Sequence, residues 1–150
     1  APDHAWLRPS SFIQISGDGL QKLSDIFVDL AEENFDDLTE ERIEKYRNAP
    51  FRAPLIVALV STKKDHPKVP EMEQIISTGT AGQNIMLALS ALGYGAIWRT
   101  GSFAFNNKIS EKFGLNENQT IIGYIYIGTP MGKKKSLPEM NTNDYISIWD

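Results

Sequence analysis

The sequence predicts one domain in which a sheet of four strands is covered by helices, and three observations predict it. A continuous apolar run, Leu55-Ile56-Val57-Ala58-Leu59-Val60, has the length and composition of a strand buried on both faces. Thr120 to Ile127 alternates and is rich in β-branched and aromatic residues, a second strand signature. Around these runs, apolar residues recur at helical spacing from Leu20 to Ala31 and from Ile75 to Leu92. With 150 residues, 41% of them hydrophobic, the chain can bury a core without metal or disulfide staples.

In chain order, the first strand lies at Phe12 to Ile15 and is closed by Gly17 and Gly19. The next helix turns Leu20, Leu23, Ile26, Phe27, Leu30 and Ala31 inward and Lys22, Asp25, Asp29, Glu32 and Glu33 outward. Thr39 is the N-cap of a short polar helix whose acidic first turn suits the helix dipole and which ends before Pro50. Pro54 opens the central strand, and a polar loop holding Asp65-His66-Pro67 leads to Pro70 at the start of the longest helix, which Gly93 terminates. The middle of that helix, Ser77-Thr78-Gly79-Thr80-Ala81-Gly82, is small enough to let another backbone approach closely. A third strand, Tyr94 to Trp98, runs into a turn at Arg99-Thr100-Gly101-Ser102. Asn106 then caps a short helix that buries Ile109, Phe113 and Leu115, with Gly114 near its end. The fourth strand stops at Gly128-Thr129-Pro130, and the tail, with Tyr145, Ile146, Ile148 and Trp149, is expected to close over a neighbour.

Fifteen Lys+Arg against nineteen Asp+Glu give a formal charge of -4, which argues against a nucleic-acid binder. The absence of cysteine removes disulfides, thiolate metal sites and Cys nucleophiles together. No apolar run approaches the ~18 residues of a spanning helix, and Ala1-Pro2-Asp3-His4 is no signal segment. The expectation is a cytoplasmic protein with neither a nucleic-acid nor a membrane partner. No G-x-S-x-G elbow, P-loop or H-E-x-x-H is present, and Gly93-Tyr94-Gly95 precedes a strand instead of joining a strand to a helix, so it is not a dinucleotide fingerprint.

His4 and His66 lack the spacing and the further ligands of a metal site. His4 is either a hydrogen-bond donor to a bound ring or phosphate or a solvated loop histidine; for His66 the solvated reading is preferred. Lys133-Lys134-Lys135 is either a solvated face or an anion contact. Trp98-Arg99-Thr100-Gly101 delivers an aromatic ring, a guanidinium, a hydroxyl and a glycine backbone at a strand's end, the parts that hold a flat polar ring or a phosphate. The other reading of that stretch is Trp in the core and Arg paired with a carboxylate.

Four blocks in order, Ala1 to His4, Arg47-Asn48-Ala49-Pro50-Phe51-Arg52-Ala53-Pro54-Leu55-Ile56, Gly95-Ala96-Ile97-Trp98-Arg99-Thr100-Gly101 and Gly123-Tyr124-Ile125-Tyr126-Ile127-Gly128-Thr129-Pro130, make the chain resemble the small FMN-dependent NAD(P)H nitroreductases. The resemblance implies an α+β fold with a mostly antiparallel sheet flanked by helices, and an intertwined homodimer with two FMN sites at the subunit interface. It further implies flavin contacts at His4, Trp98, Arg99 and Thr100, and NAD(P) contacts at Ala88, Leu89, Ser90, Ala91, Leu92 and Gly93. That last stretch carries no Lys or Arg to meet a pyrophosphate, so packing is its more natural physical role. The implied activity passes hydride from NAD(P)H through FMN to a nitroaromatic, a quinone or a similar small oxidant in ping-pong fashion, with no side-chain acid or base assigned. The alternative is an FMN-binding or flavin-sequestering protein without turnover. Two departures stand out. Family members carry an upstream helix whose Arg-Arg-Ser type motif holds the FMN phosphate, so residues 1–150 are expected to form one FMN-binding domain lacking that helix. Moreover Pro9-Ser10-Ser11 stands where relatives often have a Pro-Trp pair.

Overall fold

The structure, a computed structural model, describes residues 1–132 and 136–149; the Lys133-Lys134-Lys135 run lies outside the described residues. Eight main elements follow one another: β1 (Ser10–Ser16), α1 (Asp18–Asn34), α2 (Glu40–Asn48), β2 (Leu55–Thr62), α3 (Glu71–Ala91), β3 (Gly95–Arg99), α4 (Asn107–Lys112) and β4 (Gln119–Gly128). The four strands form one sheet in the order β1-β2-β4-β3, and every neighbouring pair is antiparallel. This is the α+β architecture that the resemblance implies.

Helices cover both faces of the sheet, which is why β2 reads as unbroken apolar sequence instead of alternating. Ile56, Ala58 and Val60 join Ile121, Tyr124 and Tyr126 beneath α1, which contributes Leu20, Leu23, Phe27 and Leu30, and beneath α4, which contributes Ile109. On the other face, Leu55, Val57 and Leu59 join Ile122, Ile125 and Ile127 beneath Ile75, Ile85, Met86 and Leu89 of α3. A register shift sets Val60 opposite Ile121 and Leu59 opposite Gly123, so Ile122 is the extra residue of a β-bulge.

The expected caps form. Thr39 Oγ1 accepts from Arg42 N–H at 3.3 Å, and Asn106 Oδ1 accepts from Lys108 N–H at 2.9 Å. Gly93, just beyond α3, adopts φ +84°, which the missing Cβ permits. Pro70 has extended backbone and precedes α3 as its cap. Among the described residues, no helix is long and apolar enough to cross a membrane.

The small-residue middle of α3 receives the Pro2 carbonyl at Ser77 and an indole at Gly82. A Cβ built on Gly82 would lie 2.6 Å from the Trp98 ring, and one on Gly123 would lie 2.2 Å from Trp98 Nε1, so the ring is wedged between helix and sheet. In the tail, Leu137, Met140, Tyr145, Ile146, Ile148 and Trp149 are all exposed on this chain.

Candidate functional site

Alternation along β3 sends neighbouring side chains to opposite faces of the sheet. Trp98 goes under α3, and Arg99 goes to the α1 side, where its guanidinium lies 5.7 Å from the centre of the Tyr126 ring. There it borders an open cleft of about 430 Å³ between β3, the end of α2 and the turn Pro50–Arg52. Lys45, Arg52 and Arg99 supply positive charge, Tyr46, Phe103 and Tyr126 supply aromatic walls, and among the described residues no carboxylate lines it. The Thr100-Gly101-Ser102 backbone forms its rim, with Gly101 held at φ +60°. Phe103 stacks on Phe27 at 4.3 Å and makes an edge contact with Tyr46, which fixes the wall.

The two tyrosines of β4 serve different ends. The Tyr124 hydroxyl is buried and donates to the Phe103 carbonyl at 2.8 Å. Burial pushes its pKa far above the usual phenol value, with a smaller contribution from Tyr126. Burial also raises Tyr126, but Arg52 and Arg99 both pull it back down, so both guanidinium groups act on that one hydroxyl.

A second feature surrounds His4. Its Nδ1 donates to Glu73 Oε2 of α3 at 2.8 Å, because a carboxylate can only accept. The loop that follows is strained: Ala5, Trp6 and Arg8 have φ of 57°, 56° and 49°, a region that costs an ordinary residue about 1–2 kcal/mol. It is pinned by Asp3 Oδ2, which accepts from Arg8 N–H at 2.8 Å, and by Ser77 Oγ, which donates to the Pro2 carbonyl at 2.6 Å. Strain held this way is found where a backbone is shaped for a ligand. Ala5→Gly should therefore stabilise the protein by up to about 1 kcal/mol once the extra freedom of glycine in the unfolded chain is subtracted, read as a higher urea midpoint. A midpoint lowered by the change would show that the loop is relaxed.

A family model described as "Nitroreductase family" matches residues 1–129. The chain belongs to the nitroreductase family. It is 39% identical over 133 residues to the Escherichia coli K12 protein named "Putative NAD(P)H nitroreductase YdjA", covering 89% of this chain and 72% of that one. A Haemophilus influenzae protein named "Putative NAD(P)H nitroreductase" is 33% identical, covering 98% of this chain and 80% of its own. Among solved structures, a nitroreductase-like family protein from Bacillus cereus superposes with a TM-score of 0.79 at 22% identity, covering 99% of this chain and 77% of that chain. The FMN and NADPH-dependent nitroreductase NfnB from Sphigopyxis sp. strain HMH gives 0.73 at 17% identity, covering 100% and 84%. Both are likenesses of fold.

Within this nitroreductase fold the residues singled out in the sequence do not gather in one place. Arg99 and Thr100 line the cleft at the β3 edge, on the α1 side. His4 precedes β1 at the opposite edge and leans on α3, on the other side. The Trp98 ring is committed to packing, so only its backbone is available to a ligand near Arg99. Of the stretch Ala88 to Gly93, Leu89 packs in the core, Leu92 is exposed, and Ser90 and Gly93 line a separate groove of about 480 Å³ that, among the described residues, is lined by no Lys or Arg. His66 Nδ1 accepts from Lys68 N–H at 3.2 Å within its own loop. Sequence reading missed Lys45, Arg52 and Tyr126. The available signal was the placement of Arg52 in a turn that feeds the central strand.

Proposed function

We propose that this nitroreductase-family oxidoreductase works with FMN, taking hydride from NAD(P)H and passing electrons to a small oxidant such as a nitroaromatic or a quinone. The observation that carries the reading is the Arg99-Thr100-Gly101 rim on a cleft that is cationic, aromatic and, among the described residues, free of carboxylates. That donor set fits FMN: guanidinium and ammonium groups suit a phosphate, the rim offers backbone groups and a hydroxyl to a polar ring edge, and the tyrosine and phenylalanine faces suit a flat ring. Bound FMN supplies two-electron exchange, filled by one substrate and emptied by the next, which gives ping-pong kinetics. The chain's own share is to bind and orient. Arg99, fixed over Tyr126, offsets negative charge that arrives with hydride, and the aromatic walls keep water from one side.

His4 belongs to the same proposal through a second copy of the chain. Since one copy holds His4 and Arg99 at opposite edges and on opposite faces of the sheet, a site using both takes His4 from one protomer and Arg99 and Thr100 from its partner. The outer face of α3 supports this, for Met72, Ile76 and Leu87 fall on one stripe and are each about 60% exposed. The exposed tail, with Ile146, Ile148 and Trp149, is a second surface for a partner subunit. A role for Ala88 to Gly93 in holding nicotinamide, and a cytoplasmic setting where NAD(P)H is available, complete the reading.

The test is stopped-flow mixing of the yellow full-length protein with NADH or NADPH. The flavin absorbance is expected to bleach, and a nitroaromatic or quinone is expected to restore it. A flavin that stays bound and oxidised would favour the sequestering alternative. Arg99→Ala is expected to weaken FMN retention about tenfold, the scale of one charge-assisted hydrogen bond. An unchanged dissociation constant would remove Arg99 from the site.

A further inference from the structure

We propose that Glu73 is a positioning residue that holds His4 as the proton donor to the oxidant. The proposal rests on the flavin-dependent reading above, in which His4 reaches the site on the partner subunit, and it gives the reduction of the oxidant a residue. Reducing a quinone to a hydroquinone takes two electrons and two protons. Hydride brings both electrons and one proton, so one proton is still needed. A nitro group that passes to nitroso and water has the same balance. In the proposed step an oxygen of the oxidant forms an O–H bond as the Nε2–H bond of the His4 imidazolium breaks. The electron pair of that bond stays on the ring, and the neutral ring takes a proton back from water.

The cleft at β3 is lined by guanidinium, ammonium and phenol groups, side-chain types that keep their protons at neutral pH. Burial raises the Tyr124 and Tyr126 phenols further. An imidazole, by contrast, gives and regains a proton near neutrality. The chain has two histidines, and His66 Nδ1 accepts from Lys68 N–H in its own loop. His4 is held differently. Its Nδ1 donates to Glu73 Oε2 at 2.8 Å, which commits that nitrogen and leaves Nε2 to carry the exchangeable proton. Glu73 stands in the first turn of α3, so a regular helix sets the carboxylate and the ring follows it. The segment is anchored on both sides of His4: Ser77 Oγ donates to the Pro2 carbonyl, Asp3 Oδ2 accepts from Arg8 N–H, and Thr62 N–H donates to the Pro9 carbonyl at 2.7 Å. Asp3 and Glu73 both line the cavity of about 190 Å³ beside the ring, and with Asp3 engaged by Arg8 it is Glu73 that orients the imidazole. The ring is half-exposed, so water reaches it for reprotonation. An ion pair this exposed adds little to stability, and its consequence is the orientation of the ring.

The test compares a quinone, which needs the proton, with ferricyanide, which takes electrons one at a time and no proton. Full-length protein loaded with FMN and reduced by NADH or NADPH is mixed with each oxidant in stopped flow. The quantity read is the ratio of the two reoxidation rate constants, quinone over ferricyanide, which cancels any change in flavin occupancy. Thermal unfolding confirms that each variant folds. Glu73→Gln is expected to lower the ratio about tenfold and His4→Gln about a hundredfold, the low end of what a general acid contributes. Ser77→Ala removes another tether of the same segment without touching the ring, and the ratio is expected to stay as it was. Nitrogen-15 spectra of the two imidazoles, assigned with His66→Gln, give a readout independent of turnover. The neutral His4 ring is expected to carry its proton on Nδ1 in the unaltered protein and to shift it toward Nε2 in Glu73→Gln. An unchanged ratio in Glu73→Gln or in His4→Gln, an equal fall in Ser77→Ala, or the same tautomer with and without Glu73 overturns the proposal. A flavin that NADH and NADPH both fail to bleach in the unaltered protein overturns the flavin reading and this proposal with it, whereas normal bleaching with an unchanged ratio overturns this proposal alone.

Discussion

Gly123→Ala is expected to destabilise the protein by about 3 kcal/mol, the upper end of the usual cost of overpacking. The added methyl would stand 2.2 Å from Nε1, 2.8 Å from Cε2 and 3.1 Å from Cδ1 of Trp98, the first two closer than a real contact allows. Neither side can give way cheaply. Gly123 lies in β4, which is hydrogen-bonded to β2 on one side and β3 on the other, so its backbone is fixed. The indole cannot retreat, because Gly82 of α3 already touches its far edge so closely that a methyl there would sit 2.6 Å from both Trp98 and Leu59. Chemical unfolding of the variant measures the loss. The wedge also predicts a rescue: with Trp98→Leu in place, Gly123→Ala should cost at least about 1 kcal/mol less than it does alone, the coupling expected for groups in contact. Additive effects would mean that the ring and the glycine do not meet.

The same tryptophan shows what was legible in the sequence and what was not. Both-face burial of β2 could be read directly, because a strand with helices above and below has no polar face to interrupt its apolar run. The caps at Thr39 and Asn106 were legible for a local reason, since the residue that satisfies the orphan N–H groups is also the one that precedes the helix. The third strand begins one residue later than its composition indicates, as Tyr94 N–H still bonds back to the Leu89 carbonyl and belongs to the end of α3. Reading Trp98-Arg99-Thr100 as one patch ignored the strand's period of two, which already placed Trp98 and Arg99 on opposite faces. The cationic cleft is different in kind. Lys45 and Arg99 are far apart in the chain, and only the pairing of β3 against β4 and the packing of α2 on α1 bring them to one cavity. No local pattern encodes such convergence.

Alkaline pH is expected to unfold the protein through Tyr124. In the unfolded chain this phenol titrates near 10, while in the native state burial holds its pKa far higher. Below pH 10 both states keep the proton, and the native preference for the neutral form is fully present. As pH rises past 10 the unfolded chain binds fewer protons than the native one, so stability falls by about 1.4 kcal/mol per pH unit for this one group. Tyr126 is raised too and adds to the slope, over a narrower window because Arg52 and Arg99 favour its charged form. Tyr124→Phe separates the contributions. At pH 7 it costs about 1–3 kcal/mol, since the Phe103 carbonyl loses the donor at 2.8 Å and remains buried. Above pH 10 the variant has no proton to lose at this position, so its stability declines less steeply. The gap between the two proteins is therefore expected to close as the pH approaches 12. Urea midpoints at pH 7 and pH 11.5 decide the matter, and parallel alkaline slopes would show that the phenol is not held neutral by the core.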